Sequence, residues 1–144
     1  MDQVWNSVTT VDELEAFLRV LGGFHDGIIK EVHWVNRDSI ADNLMMTPYT
    51  LADARMLVQR QWREPSAVEI IFESIWRLKL ETVGFVFSTT AGTEPSSVEL
   101  GPSRQLLTLD FENAEVAFER MKWRNASDWM GPDLRFGTGI PALD

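Results

Sequence analysis

Apolar residues recur at helical spacing in one early stretch of this chain and at strand spacing through most of the rest. Val11, Leu14, Leu18 and Leu21, with Phe17 beside them, follow a period near 3.6. Thr10 is a suitable N-cap, because its hydroxyl accepts from a free backbone N–H of the first turn. Glu13 stands three residues later, where it completes a capping box. Asp12, Glu13 and Glu15 sit where the helix dipole favours negative charge. Gly22 or Gly23 supplies the left-handed conformation that ends a helix. The pattern predicts an amphipathic helix over Val11 to Leu21.

Strand rhythm follows. Ile28 to Val35 reads as a first strand, and Asn36 to Ser39 as a turn. Asp42 to Tyr49 reads as loop, with Pro48 excluding a central strand there. Residues 51–62 fit a helix capped by Thr50 or a strand with Ala54, Met56 and Val58 inward. Val68, Ile70 and Phe72 alternate with Glu69, Ile71 and Glu73. After a break at Glu73-Ser74, Trp76, Leu78 and Leu80 alternate with Arg77, Lys79 and Glu81. Period two places one set inward and the other in water. The two runs predict an antiparallel hairpin, with Glu69 and Glu73 facing Arg77 and Lys79 across it. Val83, Phe85 and Phe87 form a third run. Ser88 to Ser97 reads as a polar loop, and Leu107, Leu109 and Phe111 as a further strand. Residues 113–124 again fit a helix or a bulged strand. Residues 125–144 read as an irregular tail pinned by Trp129 and Phe136. The pattern as a whole predicts one α+β domain over 1–144. Its sheet is predominantly antiparallel, with the N-terminal helix packed on one face.

Composition narrows the function classes. A length of 144 residues and 44% hydrophobic content suit one globular domain with a real core. Six tryptophans point to core or interface positions, since each buries a large area. The absence of cysteine removes disulfides, thiolate metal sites and a cysteine nucleophile. No run reaches the ~20 apolar residues of a membrane helix. The start Met1-Asp2-Gln3-Val4-Trp5 lacks the basic and apolar regions of a signal peptide, so a cytoplasmic protein is expected. A formal net charge of −9 opposes nucleic-acid binding and suits a basic protein partner. Arg55, Arg60 and Arg63, and separately Arg120, Lys122 and Arg124, read as solvated faces. A homo-oligomer is compatible with all of this.

Candidate chemistry is sparse. His25-Asp26 is the one pair of a type that metal phosphohydrolases use, and His33 is the only other histidine. Eight residues span roughly 27 Å as a strand and roughly 12 Å as a helix, so neither geometry brings both rings to one ion. Asp26 is expected to accept backbone N–H bonds after the glycine turn, and His25 to bond a carbonyl or carboxylate. No Gly-x-Ser-x-Gly elbow occurs, and Gly137-Thr138-Gly139 lacks the third glycine of a nucleotide loop. Glu69 with Glu73, and Asp110 with Glu112, read as solvent-facing strand residues. No catalytic residue, metal ligand or cofactor is expected.

Phe24-His25-Asp26-Gly27-Ile28-Ile29, followed by Glu31-Val32 and Trp34, resembles a motif of small bacterial proteins that include immunity proteins of polymorphic toxin systems. Leu109-Asp110-Phe111-Glu112-Asn113 and Met121-Lys122-Trp123-Arg124 look similar as well. The resemblance covers the first forty residues and, beyond them, the strand rhythm. It implies a short helix followed by antiparallel strands, no cofactor, no catalytic residues, and a cognate toxin as partner. Candidate contacts are Glu69, Glu73, Glu94 and Glu99, with a neighbouring aromatic as anchor. The alternative is a small enzyme or ligand-binding domain whose pocket involves His25 and Asp26.

Overall fold

The computed structural model describes residues 4–48, 50–96 and 102–137. Helix α1 spans Val11–Val20 between strand β1 (Asn6–Val8) and a tight turn at Gly22–Phe24. Its start matches the sequence reading: the Thr10 hydroxyl accepts from the Glu13 N–H at 3.2 Å, and the Glu13 carboxylate accepts from the Thr9 N–H at 3.2 Å. Gly22 and Gly23 both adopt positive φ beyond the helix, at 57° and 65°. There they cost least, because they lack a Cβ.

Nine strands follow among the described residues. They are β2 (Gly27–Asn36), β3 (Ser39–Ile40), β4 (Met46–Thr47), β5 (Ala52–Arg60), β6 (Ala67–Leu80), β7 (Phe85–Val86), β8 (Thr90–Pro95), β9 (Gln105–Asp110) and β10 (Ala114–Asn125). One antiparallel sheet runs β7-β2-β5-β6-β10-β9-β8, with β1 also paired to β10. It curls into a half-barrel, and α1 packs against it. β3 and β4 form a separate two-stranded hairpin. The fold is therefore α+β with a predominantly antiparallel sheet.

Several elements differ from the sequence reading. Val68–Leu80 is one long strand and not a hairpin. The break at Ser74 is a residue at φ 57° inside β6, and its N–H donates to Asp53 Oδ1 at 2.9 Å. Partners on both sides, β5 and β10, carry the strand through it. A bulge then follows: Phe118 pairs with Ile75 and Ala117 with Arg77, which leaves Trp76 as the extra residue. Ile70, Phe72 and Ile75 are buried, Leu78 packs at the rim of the core, and Leu80 is half exposed. Residues 51–62 and 113–124 resolve as strands β5 and β10. The polar Ser88–Ser97 stretch contains strand β8, which pairs with β9 from Thr90↔Asp110 to Pro95↔Gln105. Met46–Thr47 of the expected 42–49 loop forms β4. Only Phe85–Val86 of the third run is a strand. There a Cβ on Gly84 would stand 2.7 Å from the Ile29 carbonyl, so only glycine lets the chain close on β2.

The core lies between α1 and the concave face of the sheet. It is built on phenylalanine: Phe17, Phe24, Phe72, Phe111 and Phe118 are all buried. Phe72 and Phe118 meet at 4.9 Å between ring centroids, and Phe24 stacks on both Phe17 and Phe111 at 5.6 Å. Tryptophan plays a different part, because none of the six is fully buried. Trp5 and Trp129 cover the Arg124 guanidinium, and Trp34 and Trp62 are half exposed.

Candidate interaction surface

The sheet face away from the core gathers Glu69, Glu73 and Glu94 of the acids singled out from the sequence. Glu69 is fully buried, not solvent-facing. Its Oε2 accepts from Arg55 Nε at 3.0 Å and Nη2 at 2.6 Å, and its Oε1 accepts from Arg124 Nε at 2.7 Å. Glu73 accepts from Arg120 Nε at 3.0 Å and lies 3.7 Å from Lys122 Nζ. The two arginine clusters of the sequence are thus joined through β6, which lies between β5 and β10. Arg77 and Lys79 pair instead with Glu94 and Glu115. Glu99 lies outside the described residues.

The segment after β10 covers this network. Trp129 and Phe136 pack on Leu57, Ala67 and Ala126. Gln59 Nε2 donates to the Trp129 and Gly131 carbonyls at 3.0 Å each. Glu31 accepts from the Arg135 and Phe136 N–H groups at 2.7 and 3.2 Å. The Arg55 guanidinium sits 4.4 Å from the Phe136 ring centroid. Trp129 and Phe136 therefore hold residues 126–137 against the sheet.

Arg60 is the one buried arginine whose hydrogen bond goes to a backbone carbonyl, that of Pro65 at 2.8 Å. Burial pushes its guanidinium pKa down. The Arg60 Nη2 lies 3.9 Å from where a Cβ on Gly22 would stand, so the end of β5 runs beside the turn after α1.

His25 and Asp26 occupy the turn entering β2. The His25 Nδ1 is 2.8 Å from the Phe87 carbonyl, and its Nε2 is 3.5 Å from Asp26 Oδ2. His33 stands on β2 beyond them. Among the described residues, no three His, Asp or Glu side chains cluster closely enough to hold a metal ion.

Among the described residues, one cleft of about 480 Å³ is lined by Trp34, Ala52, Ile75, Trp76, Arg77, Leu78 and Leu80. It is an apolar trough between β2, the start of β5 and the second half of β6. The Trp76 indole N–H is buried there without an acceptor among the described residues. A second cleft, about 250 Å³, lies between Ile29–Val32 and Leu80–Gly84 beside Asn113. The third, about 160 Å³, is polar and flanked by Glu81, Asp110 and Glu112. Neither His25 nor Asp26 lines any of the three. The β3–β4 hairpin adds apolar side chains in water: Ile40 is 62% exposed, Leu44 81%, Met45 66% and Met46 62%. Trp34 and Leu80, at the trough, are each 50% exposed. Sequence reasoning missed this surface because an apolar residue in a strand reads as core until its neighbours are known. The run Leu44-Met45-Met46 inside an expected loop was the one available signal.

The Arg77 pair carries a pH prediction. A hydrogen bond from Arg77 holds the Glu94 carboxyl below its ordinary range, with burial opposing and the guanidinium charge adding to it. A depressed folded-state value stabilises the fold above the unfolded carboxylate range and is lost as pH falls through the lower folded value. Glu94→Gln should therefore lower the urea midpoint at pH 7. The gap to the parent should narrow below about pH 4, where the unfolded carboxylate takes up its proton. A gap that stays constant between pH 7 and pH 3 would show that the ion pair is not its source.

No protein-family model matches this chain, and no curated protein and no solved structure is significantly similar to it.

Proposed function

We propose that this chain is a non-catalytic protein-binding domain, acting as an immunity-type inhibitor of a bacterial toxin. One observation carries the binding half of the reading. The side chains Ile40, Leu44, Met45 and Met46 stand more than 60% exposed on the hairpin between β2 and β5, and Trp34 of β2 and Ala52 of β5 line an apolar trough. Exposed large apolar groups gathered on one part of a monomer mark interaction sites, and aromatic and methionine side chains are enriched at protein interfaces. Methionine adapts its shape to the surface it meets. The toxin half rests on the Phe24–Trp34 resemblance and on the net charge of −9, which suits a basic partner.

The test is co-expression with the protein encoded beside this chain. The neighbour alone should arrest growth, and this chain should bind it and restore growth. Leu44→Lys with Met46→Lys should abolish the rescue while leaving the circular dichroism melt unchanged. Association should slow steeply with salt, since the Debye length falls from about 10 Å at 0.1 M to about 3 Å at 1 M. A neighbour that is harmless alone, or one that this chain neither binds nor neutralises, would remove the reading.

A further inference from the structure

The sheet has two ends, and they are finished differently. At one end β8 carries Pro95, which donates no backbone hydrogen bond, and α1 lies against this strand. At the other end β2 is capped by β7 over Gly27 and Ile28 only, and the Ile29 N–H reaches the Gly84 carbonyl at 2.8 Å. From Glu31 to Asn36, β2 pairs with β5 on one side. Among the described residues no strand pairs with it on the other. This stretch has no proline and no glycine, and His33, Trp34, Val35 and Asn36 are all exposed. Natural edge strands are usually shortened, charged, bulged or covered. The bulge in β2 falls before this stretch, between Ile29 and Glu31, and leaves it regular.

We propose that the Glu31–Asn36 edge of β2 is a strand-addition site for an extended segment of a basic partner protein, with apolar residues at alternate positions. The inference rests on the protein-binding reading and names how the partner is held. Free N–H and C=O groups at strand spacing are matched in full only by another extended backbone. Six residues offer about 20 Å of such edge. Trp34 belongs both to this edge and to the apolar trough with Ile75, Leu78 and Leu80. An added strand continues the curl of the half-barrel, so every second side chain turns toward the trough while the others face solvent. Charge selects the source of the strand. A second copy of this chain would bring another −9 to the edge, whereas a basic segment is attracted to it.

The probe is the synthetic peptide Lys-Val-Lys-Val-Lys-Val-Lys, set against Lys-Lys-Val-Val-Lys-Lys-Val of the same charge. Amide exchange of the intact protein is read by NMR. The alternating peptide should slow exchange of the outward amides within Glu31–Asn36 by about tenfold or more, since a hydrogen-bonded amide exchanges only on opening. The other peptide should not. N-methylation of the alternating peptide at its odd positions and at its even positions should give unequal losses, because only one set of its amides faces β2. This comparison leaves the protein unaltered. Equal binding of both N-methylated forms, or protection centred elsewhere, would overturn strand addition. Protection of the same amides that rises with protein concentration, without peptide, would overturn the partner and assign the edge to a second copy. The two proposals separate cleanly. Toxin rescue without edge protection leaves the inhibitor reading standing alone, and edge protection without rescue leaves only the edge.

Discussion

Glu69→Ala should destabilise the protein by about 2 to 4 kcal/mol, because it strips the shared partner from two half-buried guanidinium groups that stay in place. Among the described residues, Glu69 is the one carboxylate that pairs with Arg55 and Arg124, and it is fully buried between them. Phe136, Trp5 and Trp129 lie over the two arginines, whose side chains are still 39% and 27% exposed, so water screens part of the freed charge. Urea unfolding at pH 7 measures the loss. The triple variant Glu69→Met, Arg55→Leu, Arg124→Leu should recover most of it, since replacing a whole buried ionic group by apolar residues is often neutral or stabilising. A single-variant loss under about 1 kcal/mol would place the pair in the class of exposed salt bridges. The network would then contribute little to holding the tail on the sheet.

Phe118→Ala should cost about 3 to 5 kcal/mol, and Trp76→Ala only about 1 to 2. The order is the reverse of what residue size suggests. Phe118 is wholly buried against Phe72, with the ring centroids 4.9 Å apart, and truncation leaves a cavity that neighbouring strands cannot collapse. Trp76 is the extra residue of the β6 bulge and is half-buried at the trough, with its indole N–H unpaired. Its removal widens a space already open to water and also deletes an unsatisfied donor. Matched urea titrations decide the order. If Trp76→Ala proves the costlier, the bulge is misplaced and Trp76 belongs to the core.

The site was less legible than the fold. Glu69 looks like any outward glutamate, since it alternates with Val68 and Ile70. Its burial depends on Trp129 and Phe136, some sixty residues away, folding back over Leu57 and Ala67. Arg55 and Arg124 are 69 residues apart and meet only because β6 runs between β5 and β10. Exposure of Trp34, Leu80 and the hairpin apolar residues was equally hidden, as hydrophobicity says nothing about whether a sheet end is covered.

Local chemistry by itself determined helix α1, its Thr10 cap and its glycine stop, because each signal acts within one or two turns. It also determined β2, β9 and the two runs of β6 as strands, because their apolar runs are bounded by turn residues and, in β9 and β6, recur at alternate positions. Tertiary structure decided the rest. β5 and β10 are covered on both faces over part of their length, so their alternation blurs and helix or strand is settled only by pairing with β6. Strand β8, made of small and polar residues, is held by its ladder with β9 and not by its own propensity. The union of β6 into one strand needed partners on both sides to span the Ser74 break. Long-range pairing overrides local preference wherever both faces, or both edges, of a segment are occupied by residues distant in sequence.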